Sequence, residues 1–280
     1  MSRIHDALKR AEEERAKRTL SSLDPLIPEP GSRPATLEGG FSSVGDDLEV
    51  STGGAVEDGL EPLTVANLSA ETHKYNWKPN PVTMLFFGQE AYAPGTEEFR
   101  TLRTRLYGMR DMQPLRTVLI TSASPGAGKS FVSANLAQIF VRQPNCRALL
   151  IDGDLRWSRL HLYLGAPSAP GLSEYLRGEA NELAIIQRGP MENLFFIPGG
   201  KHPTDPAELI ANGRLNRLIQ RVAPLFDWVI LDSPPAMAVS DPRVMAGFTD
   251  GVLMVVGAGT EPFDLVQKTS AQFKDRRLLG

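Results

Sequence analysis

Residues 117–130 read TVLITSASPGAGKS, and this stretch decides the fold. An apolar run, Thr117–Thr121, leads through a glycine-containing loop into the helical pattern Ser130–Val141. Strand, loop and helix in this order are the context that a phosphate-binding loop, or P-loop, requires. Gly126 and Gly128 permit backbone conformations in which consecutive N–H groups point at phosphate oxygens, and the helix adds its positive N-terminal end. We therefore predict a phosphate site here.

The loop side chains predict how a nucleotide would be held. Lys129 is expected to place its charge on the β- and γ-phosphates, and the Ser130 hydroxyl is expected to ligate Mg²⁺. The pattern G-x-x-x-x-G-K-[ST] has one departure, because its first position is Ala123. An ordinary glycine-containing turn between a strand and a helix is the alternative. The predicted nucleotide-binding residues are Ser124, Pro125, Gly126, Ala127, Gly128, Lys129, Ser130 and Phe131.

Carboxylates follow two further apolar runs. Asp152 and Asp154 come after Ala148–Ile151, and Asp232 comes after Trp228–Leu231. Ligands of open α/β sheets bind beyond the carboxyl ends of the strands, and Mg²⁺ prefers oxygen ligands. Solvated turn aspartates are the alternative for either run alone. Three motifs in order around one predicted sheet favour a nucleotide–magnesium site.

The alternation of predicted strands and helices along the rest of the chain predicts the fold class. Further strands are predicted at Leu194–Pro198 and Gly251–Val256, and further helices at Pro206–Val222 and Pro242–Ala246. Fully apolar strands separated by helices indicate a parallel sheet covered on both faces. The predicted fold is α/β: a parallel-sheet P-loop NTPase domain with helices on both faces, preceded by a short helix and a disordered linker.

The 280 residues divide into three zones by composition. Residues 1–19 predict an amphipathic helix, with the apolar residues of Ile4–Ala11 on one face. Residues 20–81 are acidic, rich in Pro, Gly and Ser, and poor in the large apolar groups that offset the entropy of ordering, so a disordered linker is predicted. Residues 82–280 are expected to carry the folded domain.

Composition excludes several classes of function. A net charge of −3 gives no basic surplus for nucleic-acid binding. No segment approaches the length of apolar sequence that a membrane span needs, and a polar N-terminus predicts a chain that stays in the cytosol. The single cysteine, Cys146, excludes an internal disulfide; we expect a buried, inert thiol rather than a reactive one.

At these motifs the sequence resembles the bacterial tyrosine kinases (BY-kinases), the autokinases of capsule and exopolysaccharide biosynthesis, within the P-loop NTPases. The resemblance covers roughly Pro94–Gly280. The family's Walker A motif corresponds to Ala123–Ser130, its second motif to Leu149–Arg156 and its Walker B motif to Val229–Pro235. The stretch Gly171–Leu176 is also similar to the family.

The resemblance implies an ATP- and Mg²⁺-dependent protein-tyrosine kinase with assigned residue roles. Lys129 would hold the β- and γ-phosphates, and Ser130, Asp152 and Asp232 would form the metal environment. Asp152 or Asp154 would help to deprotonate the attacking tyrosine, so Lys129, Asp152 and Asp154 are the catalytic candidates. A phenol needs this help because its pKa is about 10.

The resemblance also implies partners. Glu97, Arg100 and Arg103 match the family's E-x-x-R-x-x-R helix, which mediates assembly of a homo-oligomeric ring. Without the family, an ordinary charged helix face is the alternative. A transmembrane polysaccharide co-polymerase is the implied activator, which would hold the cytoplasmic chain peripherally at the inner membrane.

Departures from the family keep two other functions open. The family usually has proline at the position of Ser158 and asparagine at the position of Asp205. The sequence also stops at Arg276–Gly280, about where a further strand would begin. A partition-type ATPase is one alternative, although Ser124 occupies the position of its second lysine. A non-catalytic nucleotide-dependent scaffold is the other, because no tyrosine cluster is present. The five tyrosines are Tyr75, Tyr92, Tyr107, Tyr163 and Tyr175.

Overall fold

The computed structural model describes residues 62–87 and 95–280. The predicted helix at 1–19, the part of the predicted linker at 20–61, and Tyr92 lie outside the described residues. No helix in the described ranges has both the length and the apolar character needed to cross a bilayer.

A seven-stranded sheet organises the described residues, with strand order β1-β4-β5-β3-β6-β2-β7. All strand pairs are parallel except β4 with β5, which is antiparallel. The strands are β1 (His73–Lys74), β2 (Thr117–Ser122), β3 (Ala148–Asp152), β4 (Gln187–Arg188), β5 (Leu194–Ile197), β6 (Trp228–Asp232) and β7 (Gly251–Val255).

Helices connect the strands and cover both faces of the sheet. They are α1 (Val65–Glu71), α2 (Thr96–Met112), α3 (Lys129–Val141), α4 (Leu160–Leu164), α5 (Leu172–Arg177), α6 (Glu182–Ile185), α7 (Pro206–Ala211), α8 (Arg214–Val222), α9 (Asp241–Met245) and α10 (Phe263–Ala271). Short 3₁₀ turns lie at Ala223–Leu225 and Ala246–Phe248.

Two apolar cores lie on opposite faces of the sheet because strand side chains alternate in direction. On β6, Val229 and Leu231 belong to one core, whereas Ile230 belongs to the other. Helices α5 and α8 contribute to the first core, and α2 and α3 to the second. The central strands β2, β3, β5 and β6 are therefore buried on both faces, which confirms the predicted fold class.

The five predicted strands are confirmed to within one residue at either end. The predicted helix Pro206–Val222 is instead two helices, α7 and α8, separated at Gly213. Gly213 has a φ of 81°, a left-handed conformation that ends one helix and that residues with a Cβ rarely adopt. Cys146 is buried, as expected, and burial raises the pKa of its thiol.

The end of the predicted linker is a correction, because residues 62–81 are ordered. Thr64 caps α1 by accepting the N–H of Asn67, and Leu68 is fully buried in the core. Trp77 is 2% exposed and packs edge-on against Phe196 of β5 at a ring-centroid distance of 6.0 Å. A few large side chains therefore hold this segment on the domain despite its polar average composition.

Trp77→Ala is expected to lower the free energy of unfolding by about 3–5 kcal/mol, because it leaves a cavity between this segment and the sheet. Urea denaturation measures the change. Trp157→Ala is the matched control: Trp157 is 72% exposed, so we expect a change within about 0.5 kcal/mol. Equal effects of the two substitutions would show that residues near Trp77 are not part of the folded domain.

Candidate active site

The loop between β2 and α3 has the backbone geometry of a phosphate cradle. Helix α3 begins at Lys129, directly after the loop. Gly126 and Gly128 have φ values of 82° and 97°, which lie in the left-handed region that glycine favours. The N–H groups of the first turn of a helix have no partner within the helix, so the start of α3 offers donors to a phosphate.

Asp232, the last residue of β6, is tied to the first turn of α3. Ser130 Oγ donates a hydrogen bond of 2.7 Å to Asp232 Oδ2, and Ser133 Oγ donates one of 2.8 Å to Oδ1. Asp232 is 1% exposed, and burial raises its pKa to about 6. Ser133 is a site residue that the sequence analysis missed; its position one turn after Ser130 is the signal that could have found it.

Asp152, the last residue of β3, lies opposite Asp232 in the register of the two strands. Its Oδ2 accepts bonds from Ser158 Oγ at 2.8 Å and from the N–H of Leu160 at 3.1 Å. Ser158, the departure from the family pattern, therefore helps to orient Asp152. Burial, followed by the neighbouring charge of Asp232, raises the pKa of Asp152 to about 8.

Gly153, which directly follows β3 and separates Asp152 from Asp154, allows the end of β3 to approach β6 closely. The Gly153 N–H donates to the carbonyl of Asp232 at 2.9 Å. A Cβ at Gly153 would lie 2.6 Å from that carbonyl oxygen. Any larger residue at position 153 would push the end of β3 away from the end of β6, next to the register pair Asp152 and Asp232.

Asp154 differs from the other two aspartates because it lines an open cleft of about 520 Å³ together with Lys129. Its Oδ1 accepts the N–H groups of Arg156 and Trp157 at 3.2 and 3.0 Å. Burial raises the pKa of Asp154, and the positive charge of Lys129 opposes that rise. The cleft residues are Pro125, Gly126, Gly128, Lys129, Ser130, Phe131, Asp154, Arg156, Trp157, Arg159, Tyr163, Pro234, Pro235, Ala238 and Val239.

The donor set fits a magnesium ion held with a nucleotide. Asp152 Oδ1 is buried and has no hydrogen-bond partner among the described residues, so a cation would satisfy it. No group of three or more His, Cys, Asp or Glu side chains placed to hold a metal occurs in the described ranges. Magnesium commonly binds through one or two carboxylates together with phosphate oxygens and water, so Ser130, Asp152 and Asp232 suffice.

Most of the predicted nucleotide-binding residues line the cleft, and the others lie elsewhere in the P-loop. Six of the eight line the cleft, whereas Ser124 and Ala127 do not. The N–H of Ser124 instead donates to Glu261 Oε1 at 2.8 Å, and the N–H of Gly257 donates to Oε2 of the same carboxylate at 2.8 Å. Glu261 therefore connects the P-loop to the segment after β7. This role of Glu261 was not predicted, because no local sequence pattern links it to Ser124.

Glu261→Ala is expected to lower the free energy of unfolding by about 1–2 kcal/mol, because two N–H groups lose a charged acceptor. The loosened loop should also bind ADP more weakly. Urea denaturation and titration calorimetry measure the two effects. Glu192→Ala removes an exposed carboxylate elsewhere and should change neither quantity. If both variants match the unsubstituted chain, Glu261 does not position the loop.

The predicted self-association residues lie on α2, as expected from their spacing. Glu97 and Arg100 form an ion pair with each other. Arg103 instead turns inward and donates to the carbonyl of Ile139 on α3 at 3.3 Å. Only part of the triad is therefore directed away from the domain, and its role in assembly stays a prediction.

The fold and the loop between β2 and α3 define a protein of the P-loop NTPase class. No protein-family model matches the sequence. The chain nevertheless belongs to the family of bacterial tyrosine-protein kinases. The tyrosine-protein kinase YwqD of Bacillus subtilis is 33% identical over 164 residues, which are 59% of this chain and 69% of YwqD.

A second relative and a solved structure agree with this assignment. The tyrosine-protein kinase ptk of Acinetobacter johnsonii is 35% identical over 160 residues, 57% of this chain and 22% of ptk. The kinase domain of the Escherichia coli tyrosine kinase ETK matches with a TM-score of 0.67 and 28% identity, over 78% of this chain and 86% of that domain. The chain thus spans about a quarter of the length of the longer relatives that it matches.

Proposed function

We propose that this chain is an ATP-dependent protein-tyrosine kinase that acts on itself and on components of exopolysaccharide or capsule export. The observation that carries the proposal is the placement of Lys129 and Asp154 in one cleft. Ser130 of the same cleft donates a hydrogen bond to the buried Asp232, which lies opposite Asp152 in the strand register. Phosphoryl transfer depends mainly on positioning and on neutralising charge, and this arrangement supplies groups for both.

The P-loop would bind and orient the triphosphate of ATP. Backbone N–H groups from Gly126 to Ser130 would bind phosphate oxygens, and Lys129 would neutralise charge on the β- and γ-phosphates. Bound Mg²⁺ would supply further charge neutralisation at the β- and γ-phosphate oxygens. Ser130, Asp152 and Asp232 would hold that ion, with Ser133 and Ser158 fixing the carboxylates.

Asp154 would accept the proton of the attacking tyrosine. Its Oδ1 accepts two backbone N–H groups and the residue lines the cleft, so Oδ2 is the oxygen that would take the proton. In the transfer, the bond between the γ-phosphorus and the bridging oxygen breaks and a bond from phosphorus to the phenolic oxygen forms. ADP leaves with the electron pair of the broken bond, and the phenolic proton passes to Asp154.

The cellular setting of the proposal follows from the family resemblance. We propose a cytoplasmic chain that lies at the inner membrane through a transmembrane polysaccharide co-polymerase, its activator. Self-association into a ring through Glu97, Arg100 and Arg103 would present one subunit's tyrosines to the next. Arg103 would then act partly by holding α2 against α3, since its guanidinium bonds to Ile139.

A partition-type ATPase is less consistent with the P-loop. That class places a second lysine at the position of Ser124, and here the Ser124 N–H is engaged by Glu261. Incubation with ATP labelled in the γ-phosphate, with Mg²⁺, separates the candidates. Label on tyrosine supports the kinase, free phosphate alone supports an ATPase, and neither product supports a non-catalytic scaffold.

A further inference from the structure

Several cleft residues lie outside the predicted phosphate and metal contacts, and two of them combine exposure with an aromatic ring or a charge. Trp157 and Arg159 line the cleft from the segment after β3, and both are exposed. Trp157 is 72% exposed, whereas Trp77 and Trp228 are 2% and 0% exposed. Tryptophan is enriched among the residues that carry most of the binding energy at interfaces, so an exposed tryptophan lining a ligand cleft is a candidate contact for a bound partner.

The positive charge of Arg159, close to Trp157 in the chain, is also unpaired. Arg156 is held by Asp241 through a contact of 3.0 Å, and Lys129 is buried beneath the rim. The Arg159 guanidinium makes no ion pair or hydrogen bond within the part of the chain that the structure describes. The rim therefore presents an aromatic ring next to one positive charge that is free to meet a negative group.

Trp157 belongs to the backbone turn that binds Asp154, the proposed proton acceptor. The N–H of Trp157 donates to Asp154 Oδ1 at 3.0 Å, so the Trp157 side chain leaves the chain beside that carboxylate. A tyrosine whose hydroxyl reaches Asp154 must enter through the mouth of the cleft. Residues adjacent to that tyrosine would then pass over the rim formed by Trp157 and Arg159.

We propose that Trp157 and Arg159 form the docking wall for the phosphate acceptor, and that this acceptor is a peptide segment with acidic residues beside its tyrosine. Trp157 would pack against the acceptor, and Arg159 would pair with a flanking carboxylate. The inference rests on the proposed kinase function and adds to it the chemical class of substrate.

Two synthetic peptides test the charge preference of the full chain: one has tyrosine between glutamates, the other tyrosine between lysines. We expect kcat/KM for the glutamate peptide to be higher by about 5-fold or more, mainly through KM. Arg159→Glu should reverse the preference. Lys274→Glu makes the same change of charge on an exposed position outside the cleft and should leave the preference intact. An unchanged preference in Arg159→Glu would overturn the proposal.

A binding measurement separates docking from catalysis. The glutamate peptide with phenylalanine in place of tyrosine should change the fluorescence of the exposed Trp157, and Trp157→Phe should abolish that change. If this peptide binds but no phosphate reaches any tyrosine, the docking wall stands and the kinase proposal fails. If the chain phosphorylates both tyrosine peptides equally and the fluorescence does not change, the docking wall fails and the kinase proposal stands.

Discussion

Lys129→Met is expected to reduce phosphate transfer to tyrosine by about 10³-fold or more, because it removes a positive charge from the phosphates that react. Lys129 is 8% exposed and lines the cleft at the start of α3. A charge in this partly dehydrated position interacts strongly with a phosphate, since little water screens it. Initial rates with labelled ATP measure the loss.

The control for this variant must separate lost chemistry from lost folding. Lys274→Met removes an exposed ammonium outside the cleft and should retain full activity. Lys129→Met should keep the urea midpoint of the unsubstituted chain to within a small shift, because methionine fills a similar volume. Full activity in a folded Lys129→Met variant would refute the assignment of the P-loop as the catalytic nucleotide site.

Asp154→Asn is expected to lower kcat by about 10²- to 10⁴-fold, with ADP affinity nearly unchanged. Asparagine can still accept the N–H groups of Arg156 and Trp157, so the local turn should persist. The amide cannot take the phenolic proton, so only the transfer step should suffer. Steady-state kinetics together with calorimetric titration of ADP measure both quantities.

Glutamate at the same position provides the matched comparison. Asp154→Glu keeps the carboxylate but moves it by one methylene, so we expect activity between those of Asp154→Asn and the unsubstituted chain. Equal activity of all three chains would assign proton removal to another group. A loss of ADP binding in Asp154→Asn would instead place this side chain among the nucleotide contacts.

The central strands were predictable because each is a continuous apolar run with polar residues at its ends. Trp228–Leu231 and Ala148–Ile151 follow this rule, and both are β-strands in the structure. The two-residue strand β4 is too short to show any periodicity, and its parallel pairing with β1 joins segments that lie far apart in the chain. Leu68 and Trp77 were missed for a different reason: average composition hides two large side chains in a polar segment.

The acidic part of the site was predictable from strand ends alone. Asp152 and Asp232 were expected at one edge of the sheet, and the register of β3 and β6 places them side by side. Glu261 was not found because its link to Ser124 spans 137 positions and follows no local pattern. A contact between residues so far apart in the chain forms only in the folded structure, so a single sequence does not reveal it.

A crystal structure of the chain with Mg²⁺ and a non-hydrolysable ATP analogue tests the central claim most directly. We expect the phosphates to be bound by the N–H groups of the P-loop and by Lys129. The metal ion should contact Ser130 Oγ and lie beside Asp152 and Asp232. Phosphates bound elsewhere, or a metal ion remote from both aspartates, would contradict it.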